Sequence, residues 1–145
     1  KKSSNGSHIG IAFDIELNSN GRKHPIYKGK KNKFCSPAFN FDEVVTLPKD
    51  AILLASNNIN KISSISFNHE KSEIWGIQYH PEIKYEKMIE LIKFRKDRLI
   101  NQRKAFKSYD EIDHHISLIK NELSKSEINH RMIELKNWLG SINGN

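Results

Sequence analysis

The hydrophobic pattern of the chain changes its period at Glu82, and this change constrains the fold more than any other feature. Before Glu82, short apolar runs alternate with turn-forming clusters about every 8 to 12 residues, a spacing typical of consecutive β-strands. The runs are HIGIAFDIEL, KDAILLAS, KISSISFN and EIWGIQYH. After Glu82, apolar residues recur at helical spacing, at Tyr85, Met88, Ile89, Ile92 and Leu99. The sequence therefore predicts a strand-rich first part followed by helices.

Two further helices are predicted near the C-terminus. The segment SYDE, beginning at Ser108, has the form of a capping box, and SKSE, beginning at Ser124, repeats it. An apolar stripe follows each cap: Ile112, Ile116, Ile119 and Leu123 after the first, and Ile128, Met132, Leu135 and Leu139 after the second. Gly140 is the predicted end of the last helix. We interpret residues 101–145 as a helical C-terminal extension of a main unit formed by residues 1–100.

The chain is basic, with a formal net charge of +7 and an isoelectric point near 9.5. Such a balance attracts nucleic acid or an acidic partner, and the densest basic segment is Lys93–Lys107. A lysine-rich solvated surface is the commoner explanation of such a composition. We therefore favour an exposed helix and linker over nucleic-acid binding for this segment.

Length, cysteine content and hydropathy indicate the size class of the protein and argue against a membrane-spanning or disulfide-linked chain. The 145 residues suit one domain or a large part of one. No apolar run is long enough to cross a membrane and no signal peptide is visible, so a cytoplasmic location is predicted. Cys35 is the only cysteine, which excludes an internal disulfide. The chain begins with Lys1 and soon enters a strand-like run, so we expect it to be part of a longer or trimmed protein.

The segment EIWGIQYHPE ends a predicted strand with a histidine and a glutamate separated by one proline. Residues i and i+2 of an extended chain point to the same side, so His80 and Glu82 are predicted to project together. Pro81 favours this geometry because it disfavours the helical region for the residue before it. A carboxylate beside an imidazole selects its tautomer, as in the base and orienting group of a catalytic triad. On spacing alone, a plain turn is the commoner explanation of a His-Pro-Glu segment.

Three segments of the chain resemble the class I, triad-type glutamine amidotransferases. WGIQYHPE matches the family's Gly-x-Gln-[Phe/Tyr]-His-Pro-Glu signature, and Ile9–Gly29 is similar to its strand followed by a Gly-Arg-x-x-Pro turn. Phe41–Asn57 is similar to its Asp-x-Val-x-x-Leu-Pro stretch and the following Leu-Ala-Ser strand. The resemblance is nearest to glutaminase domains of the GMP-synthase type and to their stand-alone relatives. It implies an α/β fold: the C-terminal part of a flavodoxin-like, three-layer domain, with a short helical appendage.

The resemblance also implies an activity, the release of ammonia from L-glutamine by a Cys-His-Glu triad. His80 would be the general base and acid, and Glu82 would orient its ring. No zinc-ligand spacing and no phosphate-binding glycine loop occur, so neither a metal nor a cofactor is predicted.

The family's nucleophile, a cysteine in a Gly-x-Cys-x-Gly elbow, has no counterpart in the sequence. Cys35 lies in KFCSPAF, without flanking glycines or a following helix, and is predicted to be a packed side chain. The chain alone is therefore predicted not to hydrolyse glutamine. Its expected partner is the N-terminal half of the domain, in the same or a separate chain, and the open edge of the strand His8–Leu17 predicts self-association.

A second interpretation stays open at this point. The chain could instead be a noncatalytic binding or regulatory module that keeps the amidotransferase scaffold. The presence or absence of a nucleophile elbow in the polypeptide that completes the domain distinguishes the two.

Overall fold

The computed structural model describes residues 1–125 and 127–142. The strands are β1 (His8–Ile9), β2 (Ala12–Leu17), β3 (Lys33–Ser36), β4 (Phe39–Asn40), β5 (Ile52–Ser56), β6 (Ser64–His69) and β7 (Ser72–Ile77). The helices are α1 (Ser19–Lys23), a 3₁₀ turn (Pro25–Tyr27), α2 (Tyr85–Asn101), α3 (Tyr109–Lys125), α4 (Ile128–Arg131) and α5 (Ile133–Ile142). The order confirms the predicted change from strands to helices after Glu82.

The strands form two antiparallel sheets among the described residues. Five of them lie in the order β3-β2-β5-β6-β7, and β1 pairs with β4 in a separate ribbon. The predicted open edge of the first strand is wrong for β2, which lies between β3 and β5. The edges of the larger sheet are β3 and β7. Self-association of the chain stays a prediction.

The first apolar run is broken into two strands rather than one. Gly10 has φ of +83°, and a Cβ built on it would lie 2.6 Å from Ile92 Cδ1, so only glycine fits between β1 and α2. A second irregularity follows at Asp14, where φ is +52° and the register of β2 with β3 shifts.

The irregularity at Asp14 changes which side of the sheet the following residues face, whereas Ile9 and Ile11, on either side of Gly10, lie in the same cluster. The simple alternation of this run predicts Ile9, Ile11, Phe13 and Ile15 on one face. In the structure, Ile9 and Ile11 belong to a cluster under the helices, whereas Ile15 belongs to the core of the larger sheet. A bulge inserts one residue into the ladder, and this shift moves the following side chains to the opposite face.

The core consists of two apolar clusters. The sheet cluster is formed by Ala12, Ile15, Leu17, Ile26, Tyr27, Phe34, Ala38, Leu54, Ala55 and Tyr79. The helical cluster is formed by Ile9, Ile11, Tyr85, Ile89, Ile92, Leu99, Ile112, Ile116 and Ile119. Since the second cluster combines residues from β1, α2 and α3, the helices after residue 101 are part of the packed body. The division of the chain at residue 100 stays a prediction.

The capping box at Ser108 is confirmed in outline. Ser108 Oγ accepts a hydrogen bond from the backbone N–H of Glu111 at 3.3 Å, and Glu111 Oε2 accepts one from the N–H of Lys107 at 2.7 Å. These contacts satisfy backbone donors that the start of α3 would otherwise leave unpaired.

The predicted cap at Ser124 is wrong. Ser124 lies inside α3, and its hydroxyl donates to the carbonyl of Asn121 at 2.7 Å instead of capping a new helix. Ser124 is the second-last residue of α3, and the next helix begins only at Ile128. Ser126, in the middle of the predicted cap, lies outside the described residues. Gly140 does not end the last helix either, because it lies within α5.

Across residues 1–125 and 127–142, no helix combines the length and the apolar character needed to span a membrane. The same described residues contain no group of three or more histidine, cysteine, aspartate or glutamate side chains that could bind a metal ion.

Candidate active site

The segment after β7 is held in place by backbone hydrogen bonds from neighbouring loops. The N–H of Gln78 donates to the carbonyl of Ser63 at 2.9 Å, and the N–H of His80 donates to the carbonyl of Pro37 at 2.7 Å. The N–H of Ile83 then donates to the carbonyl of His80 at 3.1 Å and closes a turn. Pro81 is buried within this turn. The chain therefore changes from strand to helix over a short, fixed stretch.

His80 and Glu82 lie side by side on this turn, as their spacing predicts. His80 Nδ1 is 2.8 Å from Glu82 Oε1, and the two side chains are 46% and 50% exposed. A carboxylate only accepts hydrogen bonds, so Nδ1 carries the proton in this contact. Nε2 of the same ring is left with its lone pair for another group. An imidazole held at Nδ1 by a carboxylate is the geometry that triad chemistry requires.

Cys35 is not arranged as a nucleophile. It lies half-buried in β3, against the helical cluster, and lines a cavity of about 430 Å³ together with Tyr85 and Glu122. Burial raises the pKa of the Cys35 thiol to about 11, so it is protonated at neutral pH. In the part of the chain that the structure describes, the His80 ring has a hydrogen bond to Glu82 and none to Cys35.

A buried polar network lies directly beneath the exposed pair. Tyr79, the residue before His80, donates its hydroxyl to Glu134 Oε1 at 2.9 Å, and its oxygen is 2.7 Å from the hydroxyl of Tyr27. Lys30 Nζ is 2.8 Å from Glu134 Oε2, and both of these side chains are 1% exposed. Burial raises the pKa of Tyr79 and of Tyr27, and burial lowers the pKa of Lys30 although Glu134 opposes that shift.

The sequence offered no signal for this network. Glu134 is adjacent to the apolar stripe of α5 and has the pattern of an exposed charge, since buried carboxylates are rare. Lys30 lies in the loop IYKGKKNK, which has the composition of a solvated turn. Only the fold brings residues 30, 79 and 134 together, because they come from three separate elements.

No family model matches the chain. Curated relatives match it over about half of its length. It is 38% identical over 73 residues to the gamma-glutamyl-L-1-hydroxyisopropylamide hydrolase of a Pseudomonas species, a match that covers 50% of this chain and 24% of that protein. It is also 38% identical over 71 residues to the glutamine-hydrolysing GMP synthase subunit of Methanosphaera stadtmanae, covering 49% of this chain and 37% of that protein.

Two solved structures have a similar fold over nearly the whole chain. A glutamine amidotransferase of Thermotoga maritima aligns with a TM-score of 0.61 at 16% identity, covering 99% of this chain and 54% of that one. The protein SMU.1228c aligns with a TM-score of 0.66 at 16% identity, covering 98% of this chain and 54% of that one. The similarity in fold therefore includes the C-terminal helices. The chain spans about half the length of these two structures and less than half the length of the two curated relatives. Over about half of its length the chain is similar in sequence to two enzymes that hydrolyse γ-glutamyl amides or glutamine, and over nearly all of its length it is similar in fold to a solved glutamine amidotransferase.

Proposed function

We propose that this chain supplies the base and the orienting carboxylate of a class I glutamine amidotransferase, with His80 and Glu82 in these roles. The observation that carries the proposal is the 2.8 Å contact between His80 Nδ1 and Glu82 Oε1, which leaves Nε2 free at a half-exposed site. A histidine base is effective near neutral pH, and a carboxylate on its far nitrogen stabilises the imidazolium that forms.

The reaction proposed is hydrolysis of the side-chain amide of L-glutamine. His80 Nε2 takes the proton of a cysteine thiol, and the resulting thiolate attacks the amide carbon. The carbon–nitrogen bond then breaks as Nε2–H gives that proton to the leaving nitrogen, which departs as ammonia. Water then attacks the thioester carbon while His80 takes its proton, and the sulfur leaves as thiolate to give glutamate. Glu82 keeps its hydrogen bond to Nδ1–H throughout, so the ring keeps the same orientation in both steps.

We assign the thiolate to the half of the domain that these residues do not include, in the same or a separate polypeptide. Cys35 is a poor candidate because its thiol has a pKa of about 11 and no hydrogen bond to His80 among the described contacts. The chain alone is accordingly expected to be inactive. Residues 1–100 would form the C-terminal portion of the glutaminase domain, and residues 101–145 its helical extension.

The names of the relatives suggest the class of substrate and of partner. One relative is a gamma-glutamyl amide hydrolase and the other is the glutamine-hydrolysing part of a GMP synthase. Both names refer to cleavage of a γ-glutamyl amide bond. We therefore take L-glutamine as the first substrate to test and an N-alkyl γ-glutamyl amide as the second. A separate polypeptide that consumes ammonia is the corresponding expected partner.

The test is to produce the chain together with the polypeptide that carries the Gly-x-Cys-x-Gly elbow, fused or as two chains, and to measure glutamate formation. Glutaminase activity is expected from the combination, and none above a His80→Ala control from the chain alone. Cys35→Ser in the combination is the matched control and is expected to keep full activity.

Two outcomes contradict this proposal. Glutamine hydrolysis by the chain alone, lost in Cys35→Ser, would make Cys35 the nucleophile. A stable complex of the two halves without activity towards either amide would favour the noncatalytic module.

A further inference from the structure

The short segment that carries His80 and Glu82 is held at both ends by the same helical region. At its start, the hydroxyl of Tyr79 donates to Glu134 Oε1 at 2.9 Å. At its end, the guanidinium of Arg131 donates to the backbone carbonyl of Ile83. Arg131 ends α4 and Glu134 lies in the first turn of α5, so the two contacts come from neighbouring positions.

The two residues that make these contacts are buried, and Lys30 hydrogen-bonds to both of them. Arg131 is 7% exposed and Glu134 is 1% exposed. Lys30 Nζ compensates Glu134 and also donates to the carbonyls of His130, at 2.9 Å, and of Arg131, at 3.3 Å. This lysine thereby ties the end of α4 to the start of α5. A buried charge needs all its partners in good geometry, so such a network resists small displacements.

The network has no access to a substrate. Its members are buried, whereas the His80 and Glu82 side chains above it are about half exposed. The network contacts the segment of the candidate site at two points, the hydroxyl of Tyr79 and the backbone carbonyl of Ile83. Between these two residues lies Pro81, whose ring restricts the backbone, and the bond from Ile83 N–H to the His80 carbonyl closes the turn at 3.1 Å. A displacement of Tyr79 or of Ile83 would change the geometry of the hydrogen bond between His80 and Glu82.

We propose that Arg131 and Glu134 are positioning residues for the His80–Glu82 pair. The inference rests on the catalytic role proposed for that pair. Arg131 acts through the Ile83 carbonyl, and Glu134 acts through the Tyr79 hydroxyl. Displacements of about 1 Å in a catalytic group cost about a hundredfold in rate, so partial loosening of one contact should be measurable.

The experiment uses three variants with small changes and one control. Tyr79→Phe removes only the hydroxyl that meets Glu134, and Arg131→Gln removes the guanidinium that meets Ile83. Arg131→Lys keeps a donor on a long side chain. Ile119→Val is the control, because it trims a fully buried side chain of the helical cluster away from this turn. Thermal melts establish that each variant folds.

Two measurements separate positioning from general stability. The first is the ¹⁵N chemical shifts of the His80 ring nitrogens in the chain itself, which report the contact with Glu82. The second is kcat and KM for glutamine in the combination with the nucleophile half. Tyr79→Phe and Arg131→Gln are expected to move the ring signals and to lower kcat about tenfold with KM within about twofold of the parent. Arg131→Lys should recover most of both.

Ring signals identical to those of the parent in Tyr79→Phe and Arg131→Gln would overturn the inference, whatever their melting temperatures. The same holds if Ile119→Val moves the ring signals as much as they do. If the combination has no glutaminase activity, the proposed function fails, and the ring signals of the chain still decide whether Arg131 and Glu134 position the pair.

Discussion

Two acid–base pairs of equal length are linked in this protein through Tyr79, which precedes His80 and donates its hydroxyl to Glu134. His80 Nδ1 to Glu82 Oε1 and Lys30 Nζ to Glu134 Oε2 are both 2.8 Å, yet the first pair is about half exposed and the second is 1% exposed on each side. An exposed pair contributes about 0 to 1 kcal/mol to stability because water competes for both groups. Breaking a buried pair costs about 3 to 5 kcal/mol because it leaves one charge without a partner.

Because the two pairs differ in exposure, we expect them to have different roles although their contact distances are the same. The exposed pair can meet a substrate and exchange a proton, but it contributes little to folding. The buried pair is shielded from a substrate, and its Glu134 accepts the Tyr79 hydroxyl on one side of the exposed pair. Substitutions at the two pairs should therefore separate activity from stability, and the following expectations test that separation.

His80→Ala should have the largest effect of all, and on activity alone. In the combination with the nucleophile half, we expect glutamine turnover to fall by about 10⁴-fold or more, because the proton acceptor is gone. The melting temperature should stay within about 2 °C, since the lost contact is solvent-exposed. His69→Ala, an exposed histidine at the β6–β7 turn, is the matched control and should change neither quantity. A large loss of stability in His80→Ala would contradict the expectation that the exposed pair contributes little to folding.

Glu134→Ala should have the largest effect on stability. Removing the carboxylate leaves Lys30 buried without its charge partner, so we expect unfolding free energy to fall by about 3 to 5 kcal/mol in urea denaturation. Glu82→Ala should lose no more than about 1 kcal/mol in the same assay.

A double replacement sharpens this second test. Lys30→Met combined with Glu134→Leu removes both charges and keeps side chains of similar volume, so it should cost less than Glu134→Ala alone. A double variant less stable than Glu134→Ala would show that the hydrogen bonds to Tyr79 and to the α4 carbonyls outweigh the unpaired charge.

His8 extends the comparison to a buried histidine without a carboxylate. It is 3% exposed, its Nε2 is 3.4 Å from Asn57 Nδ2, and burial lowers its pKa from 6.5 to about 4. The folded state therefore binds fewer protons than the unfolded state between these values. Its stabilising contribution is complete above pH 6.5 and is lost progressively as the pH falls towards 4.

Urea midpoints at pH 7 and pH 5 measure this effect. The parent should lose about 2 kcal/mol between them through His8, with smaller losses of the same sign from other partly buried histidines. His8→Gln, which does not titrate, should show a shallower dependence on pH. An equal dependence in the two proteins would assign the effect to other groups.

Substitution of Cys35 should have the smallest effect on glutamine turnover. With a pKa of about 11, its thiol should react with iodoacetamide at pH 8 about a hundredfold more slowly than in the unfolded chain. Cys35→Ala should leave the turnover of the combination unchanged. Rapid alkylation of the folded chain would contradict the protonated, half-buried thiol.

The sequence by itself determined the order of strands and helices and the pairing of His80 with Glu82. Both depend on local rules: hydrophobic period separates strand from helix, and residues two apart in an extended chain share a side. The same local rules placed a helix start at Ser108, where the capping contacts exist. They failed at Ser124, whose hydroxyl donates to the carbonyl of Asn121 inside α3, and at Gly140, which lies within α5.

Only the tertiary structure decided which residues support the candidate site. Lys30, Tyr79 and Glu134 are far apart in the chain, and the sequence pattern around Lys30 and Glu134 is typical of exposed residues. The two faces of the first apolar run were also decided in three dimensions, by the positive φ angle and the register shift at Asp14. The physical reason is the same in both cases: a local pattern reports the preference of a segment, whereas burial of a charge or a bulge depends on the neighbours that the fold brings to it.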